Sequence, residues 1–460
     1  MSDSREKKPG QPAGVTLEQM LRAREERAQH TQDLLVRWDC TVVCLTLNTP
    51  GPVKNNPLLS KAFVEGLRLA RDSFGAALVR QEQIAADTGY TAWLGVTESP
   101  DEAKRRTCAI EESDPLGRIF DFDVYGPDGT ALSRTALGGR VRRCLLCGGD
   151  AAACGRSRRH SASELFAREE EFIADYFARG SAERIGAAAT RALLCEVCVT
   201  PKPGLVDRQG SGAHRDMDIY TFMASASALA PYFVRFARQG LEADGDDDAL
   251  FCRLRELGLQ AERAMFAATG GVNTHKGAIF TFALLCAAAG RCTGDGLLES
   301  ARNISREVAR IASCCSFDAH RDRCGGRADR GVFAEAHSGF ATALRVGLPA
   351  LRDALAAGES EDAAGCSALL HILATADDSR LSARAGEEAR QRAQDEAKRM
   401  VREGRVAPRD VRRLGEMFCR DNLSPGGSAD LLAASWFLFF VEETADCRYE
   451  TTETEESTWN

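Results

Sequence analysis

Three segments of the sequence place charged and imidazole side chains where a glycine-containing loop leads into a long apolar stretch. They are PKPGLVDRQGSGAHRDMD at 201–218, GGVNTHKGAIF at 270–280 and NLSPGGSADLL at 422–432. The first turn of a helix has unpaired backbone N–H groups and the positive end of the helix dipole, so it attracts anions. One such junction is common, but three that are rich in His, Lys and Asp predict a binding site for a polyphosphate.

A polar stripe follows the first junction. At about 100° per residue in a helix, four polar side chains lie within about 60° of one another: His214, Asp218, Thr221 and Ser225. The other positions are mostly apolar or small, which is typical of a buried helix. A polar stripe on such a helix is either an internal hydrogen-bond network or the lining of a ligand site. Lys202, Asp207 and Asp216 lie just upstream and favour the ligand site.

The second junction is predicted to begin a buried helix over 275–289, capped by Asn273 or Thr274. His275 and Lys276 fall in its first turn, where a cation opposes the helix dipole. A bound phosphate would remove this conflict, so we interpret Lys276 as a phosphate ligand; the alternative is a lysine that faces solvent. Across the three junctions, the residues expected to bind the ligand are Lys202, Gly204, Gly212, Asn273, Lys276, Ser424, Gly426, Gly427 and Ser428.

Two carboxylates lie two residues apart in IFDFDVYG at 119–126, which has the composition of a strand. Side chains alternate between the two faces of a strand, so Asp121 and Asp123 share one face and the apolar residues share the other. Such a pair is suited to binding Mg²⁺ beside a nucleotide or pyrophosphate. The alternative is an acidic face in contact with water. The PDG that follows at 127–129 predicts a hairpin.

A cysteine cluster occupies RVRRCLLCGGDAAACGRSRRH at 140–160. Four of its side chains are of the types that bind tetrahedral zinc: Cys144, Cys147, Cys154 and His160. Free thiols on a compact loop are the alternative. The same stretch is the most basic of the chain and is suited to docking an acidic partner or phosphates.

The elements that must position these residues differ between the two halves of the chain. The first half predicts an α+β domain with a mixed sheet: a helix over 15–38 with a Thr16 and Gln19 capping box, a helix over 60–81, a helix over 161–180, and strands over 41–48, 107–112 and 118–125. From about 183 onward the sequence predicts an all-α domain, with helices over 184–197, 213–238, 247–268, 275–290, 295–316, 333–356, 362–376, 383–403, 408–419 and 428–443. The predicted division is a disordered N-terminus over 1–14, domains over 15–181 and 182–443, and an acidic tail over 444–460.

Composition narrows the class of protein. The chain has 460 residues, a net charge of −8 and 17 cysteines. The acidic balance disfavours nucleic acid as a partner. We see neither a signal peptide nor an apolar run long enough to span a membrane. The cysteines are therefore expected to be reduced thiols, and the expected compartment is the cytoplasm.

The second half of the chain resembles triphosphoribosyl-dephospho-CoA synthase, which prepares the prosthetic group of citrate lyase. The resemblance rests on TPKPGLVD, GAHRDMD, GVNTHKGAIF and NLSPGGSADLLA, and covers about 200–432. The first half resembles citrate lyase holo-acyl-carrier-protein synthase, a phosphoribosyl-dephospho-CoA transferase. That resemblance rests on NTPGPVKN, PLGRIFDFDV and the run from Arg142 to Leu165, and covers about 15–175. Together they imply a bifunctional fusion.

The resemblance implies two reactions with ATP and dephospho-CoA as substrates. In the second half, a ribose hydroxyl of dephospho-CoA attacks C1 of the ATP ribose and adenine leaves. Mg²⁺ would neutralise the triphosphate, with Asp207, Asp216 and Asp218 as candidate ligands. The acid and base roles lie among His214, His275 and the aspartates, Asp218 included.

In the first half, the new group is transferred to a serine of the citrate lyase acyl carrier protein, the γ subunit, and pyrophosphate leaves. Asp121 and Asp123 would hold Mg²⁺ there. Lys54, Arg118 and Arg143 would neutralise phosphate.

Two segments depart from the pattern of the synthase family. At 331–340 the chain reads GVFAEAHSGF and keeps Glu335, and at 378–386 it reads DSRLSARAG, with Asp378 and Arg384 as the matching residues. Two alternatives to the bifunctional enzyme remain open, and only the second rests on these departures. One is the corresponding synthase that serves malonate decarboxylase. The other is a transferase or docking protein for the carrier, in which the synthase half no longer catalyses.

Overall fold

The computed structural model describes residues 14–134, 142–294, 297–298, 300–324, 331–376, 386–404 and 406–446. The chain divides into two compact units, one up to Phe177 and one from Ala178 onward. Asp378 and Arg384 lie outside the described residues, as do nearly all positions of the predicted disordered N-terminus and acidic tail.

The first unit is built on a five-stranded sheet. Its strands are β1 (Thr41–Leu47), β2 (Leu78–Ala86), β3 (Gly89–Val96), β4 (Phe120–Tyr125) and β5 (Ala131–Leu132). Their order across the sheet is β2-β3-β1-β4-β5, and every neighbouring pair is antiparallel. The helices of this unit are α1 (Leu17–Trp38), α2 (Pro57–Phe74), α3 (Pro100–Ser113), α4 (Ala151–Arg156) and the first part of α5 (Ala162–Cys198).

Alternation along the strands gives the sheet two apolar faces. On one face Val43, Leu45 and Phe122 join a core with α2 and α3, and on the other Val42, Cys44 and Trp93 pack with Leu34 and Leu35 of α1. Burial alternates along β4, with Phe120, Phe122 and Val124 buried and the two aspartates between them more exposed. The predicted shared face of Asp121 and Asp123 is confirmed, and so are the capping box of α1 and the hairpin after β4.

Three predictions for this unit are wrong. The predicted strand over 107–112 lies inside α3, because Ser99 accepts a hydrogen bond from the Glu102 N–H and Pro100 occupies the first turn, a strong start for a helix. The predicted helix over 60–81 ends at Phe74, and β2 follows. The sheet is antiparallel rather than mixed in all its described pairs.

Over the residues that the structure describes, the regular structure of the second unit is helical apart from one small ribbon. It contains the rest of α5 and the following helices: α6 (Ile219–Leu241), α7 (Asp247–Ala268), α8 (Lys276–Arg291), α9 (Ala301–Ile311), α10 (Cys315–Arg323), α11 (Val332–His337), α12 (Leu348–Ala356), α13 (Glu361–Thr375), α14 (Glu387–Arg402), α15 (Pro408–Arg420) and α16 (Gly426–Asp446). The ribbon pairs β6 (Thr293–Gly294) with β7 (Leu297–Leu298), and a short π-helix over Ala343–Gly347 precedes α12.

The apolar helices α6 and α8 pack closely against each other. A Cβ atom at Gly240 would lie 1.9 Å from the Ala287 carbonyl oxygen, so only glycine allows the two backbones to approach this closely. Phe233 of α6 and Phe282 of α8 are fully buried in the same contact region, with ring centroids 5.3 Å apart. Over the described residues, no helix combines the length and apolarity needed to cross a membrane.

Several predicted helix boundaries in this part of the chain are wrong. The helix predicted to end at Gly180 continues to Cys198, because one glycine inside a long helix costs only about 1 kcal/mol. The helix predicted over 213–238 begins at Ile219, since Asp218 caps it. The predicted helices over 295–316 and 333–356 are each interrupted, the second at Gly339 and Phe340, which both have positive φ.

Candidate active sites

A cavity of about 390 Å³ lies in the second unit, and all three glycine-containing segments contribute to its wall. This volume is within the range of small-molecule sites. The predicted residues that line it are Lys202, His214, Asp216, Asn273, His275, Ser424 and Gly426. The folded chain therefore brings together side chains from 201–218, 270–280 and 422–432 that are far apart in sequence.

Backbone contacts hold the first and third segments together. Gly204 has φ +67°, and a Cβ atom there would lie 2.1 Å from the Leu423 carbonyl oxygen. Asp207 organises the first loop, because its carboxylate accepts hydrogen bonds from the N–H groups of Lys202, Gln209 and Gly210 at 3.0, 2.8 and 3.0 Å. Gly204 and Asp207 thus shape the loop instead of lining the cavity.

One buried ion pair forms part of the wall. Lys202 Nζ lies 2.5 Å from Glu196 Oε1, and the two side chains are 1 % and 5 % exposed. The same ammonium group donates to the Glu196 carbonyl oxygen at 2.7 Å. Burial raises the pKa of the Glu196 carboxyl, while the charge of Lys202 acts in the opposite direction. The pair therefore places a fixed cation beside the cavity at the cost of desolvating both partners.

His275 is held by a chain of hydroxyl groups. Thr274 Oγ1 donates to Ser225 Oγ at 2.8 Å, and Ser225 Oγ lies 2.7 Å from His275 Nδ1. With the Ser225 proton directed at Nδ1, the imidazole carries its own proton on Nε2. The Nε2 atom is buried and has no hydrogen-bond partner among the described residues. The His275 side chain itself lines the cavity. Burial, followed by the charge of Lys202, lowers the pKa of His275 to about 3. The group is thus a neutral hydrogen-bond donor.

The other predicted histidine does not belong to a helix. His214 precedes α6, so the predicted stripe that joined it to Asp218 by helical spacing is wrong. Its Nε2 lies 2.8 Å from Ser424 Oγ, which links the first segment to the third. Asp216 and Asp430 also line the cavity. Sequence reasoning missed Asp430, although it follows the third glycine-containing loop by only three residues.

The remaining predicted residues of this unit lie away from the cavity wall. Asp218 is exposed and caps α6 by accepting from the Thr221 N–H at 2.9 Å. Lys276 is 55 % exposed, and its ammonium group lies 2.5 Å from Glu262. The N-cap of α8 is His275, not Asn273 or Thr274. The predicted site residues that do not line the cavity are Gly204, Asp207, Gly212, Asp218, Lys276, Gly427 and Ser428.

Glu335, in the first segment that departs from the family pattern, is also outside the cavity wall. Its carboxylate accepts hydrogen bonds from the side chain and the N–H of Thr342, and burial raises its pKa.

In the first unit, an open depression is lined by four arginines: Arg118, Arg134, Arg142 and Arg143. The side chain of Glu111 is 2 % exposed and contacts two of these arginines. It pairs with Arg134, lies 3.0 Å from Arg142, and accepts a hydrogen bond from the Phe122 N–H at 3.0 Å. Sequence reasoning missed Glu111 because it placed this residue in a strand. The cluster gives an anion-binding surface with a buried anchor.

The predicted carboxylates of β4 lie near this surface. Asp121 Oδ1 is 2.9 Å from Arg142, which therefore joins Asp121 to Glu111. Loss of hydration, and then the neighbouring charge of Asp121, raises the pKa of Asp123. A cation between the two carboxylates would relieve their repulsion, so the pair fits the chemistry of a Mg²⁺ site.

A second buried carboxylate in this unit escaped prediction. Glu169 is fully buried and accepts a hydrogen bond from Thr49 Oγ1 at 3.2 Å. Lys54 donates to the Thr49 carbonyl oxygen, which ties the predicted phosphate ligand to the same loop. Burial raises the pKa of Glu169 to about 8, so this side chain is mostly uncharged at neutral pH. A lone glutamate in a helical stretch offers no pattern by which to identify it.

The four predicted zinc ligands are brought together. One ligand atom from each of Cys144, Cys147, Cys154 and His160 lies within 4.8 Å of the others. Among the described residues, this is the only group of three or more His, Cys, Asp or Glu side chains found close enough to hold a metal ion.

Comparison with known proteins assigns both parts of the chain. Residues 182–448 match the family CitG, ATP:dephospho-CoA triphosphoribosyl transferase. Residues 15–176 match the family CitX, apo-citrate lyase phosphoribosyl-dephospho-CoA transferase.

The relatives include fused and single-domain proteins. Protein CitXG of Leuconostoc mesenteroides is 30 % identical over 459 residues, which cover 92 % of this chain and 97 % of that protein. Protein CitXG of Haemophilus influenzae is 38 % identical over 292 residues, and the match spans 62 % of each chain. A probable 2-(5''-triphosphoribosyl)-3'-dephosphocoenzyme-A synthase of Albidiferax ferrireducens is 42 % identical over 281 residues, or 57 % of this chain and 91 % of that protein.

Proposed function

Because the chain belongs to the CitG family, with a CitX segment in front of it, we propose that it is a bifunctional transferase that matures citrate lyase. The second unit joins ATP to dephospho-CoA, forming 2'-(5''-triphosphoribosyl)-3'-dephospho-CoA and releasing adenine. The first unit transfers the phosphoribosyl-dephospho-CoA group to a serine of the citrate lyase acyl carrier protein and releases pyrophosphate. The proposed compartment is the cytoplasm, where ATP is available.

The observation that carries the synthase proposal is the cavity formed by the three glycine-containing segments. It combines the Lys202–Glu196 ion pair, two imidazoles and the carboxylates of Asp216 and Asp430 in one wall. In the proposed reaction the ribose hydroxyl of dephospho-CoA loses a proton, its oxygen bonds to C1 of the ATP ribose, and adenine leaves with a proton. Such a reaction needs groups that hold the triphosphate and groups that handle protons on opposite sides of C1.

His275 is suited to a hydrogen-bonding role at the leaving group or a phosphate oxygen. A neutral imidazole with pKa near 3 is a poor base and does not add charge to the cavity. Its Nε2–H is held by the Thr274–Ser225 chain and therefore costs little reorganisation when a ligand arrives. His214 and the cavity carboxylates are the remaining candidates for the base that accepts the hydroxyl proton.

Asp216 and Asp430 are the proposed Mg²⁺ ligands of the synthase site. Asp207 and Asp218 do not fit this role well, because their carboxylates already accept hydrogen bonds from the loop and from the first turn of α6. When bound, Mg²⁺ neutralises the triphosphate. Lys202 also lies in the cavity wall, where its ammonium group is paired with Glu196.

In the first unit, Arg118, Arg142 and Arg143 are the proposed ligands of the transferred phosphates. The carrier serine oxygen attacks the α-phosphorus, and pyrophosphate leaves on the opposite side. Asp121 and Asp123 would hold Mg²⁺, which when bound balances the charge of the departing pyrophosphate. The depression that these arginines line is open, which suits a site that must receive a serine on another protein.

Mass spectrometry with the purified full chain tests both activities. Incubation with ATP and dephospho-CoA should release adenine and form a product whose mass is the sum of the two substrates less adenine. Addition of the unmodified carrier protein should then increase its mass by the phosphoribosyl-dephospho-CoA group. Carrier modification only with pre-formed intermediate would mean that the synthase half is inactive. Formation of neither product would overturn the assignment.

A further inference from the structure

We propose that Cys144, Cys147, Cys154 and His160 bind one zinc ion, and that this ion fixes the loop carrying Arg142 and Arg143. Three cysteines and one histidine are a complete tetrahedral ligand set. Cys144 Sγ and Cys154 Sγ are 3.6 Å apart. With Zn–S bonds of about 2.3 Å, two thiolates at the corners of a tetrahedron are about 3.8 Å apart. The observed separation therefore already matches that of zinc-bound thiolates.

The backbone around the first two cysteines forms a tight turn that directs both sulfur atoms to the same side. The Gly148 N–H donates to the Cys144 carbonyl oxygen at 3.0 Å, and the Cys144 N–H donates to the Gly149 carbonyl oxygen at 2.7 Å. Asp150 then caps the short helix that carries Cys154. A turn followed by a short helix thus presents the ligands from two directions, as a four-coordinate site requires.

His160 gives an independent indication of a missing partner. Its Nε2 atom is buried and has no hydrogen-bond partner among the described residues. A buried imidazole nitrogen without a partner is costly, and a metal ion facing it would satisfy it. One ring nitrogen of His160 lies within 4.8 Å of the cysteine sulfur atoms. A cluster of free thiols leaves this nitrogen without a partner, whereas a zinc ion accounts for all four side chains together.

The ligand set also indicates what the ion does. Four protein ligands leave no open position for water or substrate, which is typical of structural zinc. The Arg142 carbonyl oxygen accepts a hydrogen bond from the Ala151 N–H at 2.9 Å, and the Arg143 carbonyl oxygen accepts one from Arg118. The side chain of Arg142 reaches Glu111 and Asp121. The ion therefore fixes the segment from which the phosphate-binding arginines project.

Metal analysis of the full chain tests the proposal directly. Protein purified without chelator should contain about one zinc per chain, as a four-ligand site predicts. Cys147→Ser should lose most of the zinc with little change in folding, because Cys147 is exposed. Cys315→Ser is the matched control, since Cys315 is also exposed but lies outside the cluster, and should retain the metal. His160→Cys should also retain zinc, because a Cys₄ set binds the same ion.

Two further measurements distinguish a zinc site from a disulfide and from free thiols. Co²⁺ added to metal-free protein should give the visible spectrum of a tetrahedral thiolate site, and Cys147→Ser should change it. Thiol counting without reductant should show no disulfide between Cys144 and Cys154. Wild-type protein that is free of zinc, and that stays so after reduction and incubation with zinc, would overturn the proposal. So would a wild-type zinc content unchanged in Cys147→Ser.

The link to the arginines rests on the proposed transferase function and has its own readout. Zinc removal should reduce carrier modification by at least about tenfold, while adenine release by the second unit should continue. Zinc binding without an effect on carrier modification would leave the metal site intact and refute only its role in positioning Arg142 and Arg143. Loss of both activities would indicate general unfolding and would refute that same role.

Discussion

The two units hold charge in opposite ways. In the first, four arginines line an open depression, and two of them, Arg134 and Arg142, pair with the buried carboxylate of Glu111. In the second, the cavity wall contains a single buried cation, Lys202, and an imidazole that burial keeps neutral. The first site places several arginines and their carboxylate partners beside an open depression, whereas the second places one buried ion pair and a hydrogen-bonded imidazole in a cavity wall.

This difference agrees with the two proposed reactions. A phosphoryl group moved onto another protein needs strong positive charge in a place that the partner can reach. A reaction at C1 of a ribose must keep water from the reacting carbon, and a buried site with preorganised donors does so. Substitution of single residues tests this difference between the two sites.

The largest expected effect is that of Asp121→Asn. Loss of this charge removes a proposed Mg²⁺ ligand and the 2.9 Å contact with Arg142, so carrier modification should become undetectable. Adenine release should persist, because it belongs to the other unit. Asp128→Asn is the control, since Asp128 is a turn residue after the same strand. Simultaneous loss of both activities in Asp121→Asn would refute the assignment of two separate sites.

Lys202→Met should cause the largest loss of stability. It leaves the Glu196 carboxylate buried without its partner, which typically costs about 3–5 kcal/mol. Denaturant unfolding of the second unit measures this change. A double variant, Lys202→Met with Glu196→Leu, should recover much of the lost stability, because both charges are then absent. A single variant as stable as wild type would show that the pair is not buried as described.

His275→Ala should reduce the rate of adenine release about 100- to 1000-fold, the range for removing one preorganised donor. His275→Gln should retain more activity, because its amide can donate from a similar position. Equal loss of activity in the two variants, measured as the rate of adenine release, would argue against a donor role.

The same group predicts how stability depends on pH. Its pKa is about 6.5 when unfolded and about 3 when folded, so the unfolded chain binds the proton first. The free energy of unfolding should therefore fall as pH drops from about 6.5 towards 3, and His275→Gln should weaken this dependence. Denaturant unfolding at a series of pH values measures it. Identical pH dependence in wild type and variant would mean that His275 is not buried in its neutral form.

Glu169→Gln should change the pH dependence of the first unit in the opposite direction. The pKa of Glu169 is about 8 in the folded protein, whereas its ordinary pKa is 4.5. The contribution of this carboxyl to stability is therefore lost as the pH rises between these two values. The amide variant does not titrate, and its stability should fall less over this range. Thermal unfolding from about pH 5 to 9 measures the difference. A wild-type curve parallel to that of the variant would mean that Glu169 is ionised in the folded protein.

The smallest expected effect is that of Lys276→Met. Its pair with Glu262 is largely exposed, and such pairs contribute about 0–1 kcal/mol. The apparent KM for ATP should change less than about twofold if Lys276 lies outside the site. A tenfold increase with unchanged stability would instead support the phosphate role predicted from the sequence.

Sequence reasoning found the segments of the synthase site but not all of the atoms that face the cavity. Glycines before apolar stretches identified 201–218, 270–280 and 422–432, because helix starts have a local pattern. It predicted Lys276 and Asp218 as site residues, and both lie outside the cavity wall, because the pattern does not show which way a side chain at a helix start points. The neutral state of His275 depends on burial, and the nitrogen that carries its proton depends on Ser225, 50 residues away. Neither is visible along the chain.

The first unit shows the same limit in its strands. The period-two pattern gave the correct faces for Asp121 and Asp123, and the spacing of Cys144, Cys147, Cys154 and His160 named a cluster that the fold brings together. Helix α3 was missed because apolar residues over 107–112 were given more weight than the Ser99–Pro100 start. Glu111 and Glu169 gain their importance only from burial, which is a property of the fold.

The contact between His214 and Ser424 spans 210 residues. Contacts so distant in sequence form late, because much of the chain must first be confined before they can be made. The ribosome makes the first unit before the second and the 422–432 segment last among the three that line the cavity, so the synthase site closes only at the end of synthesis. A nascent chain halted before Asn422 would already carry both histidines, yet it would lack the Ser424 hydroxyl that contacts His214 and would not consume ATP.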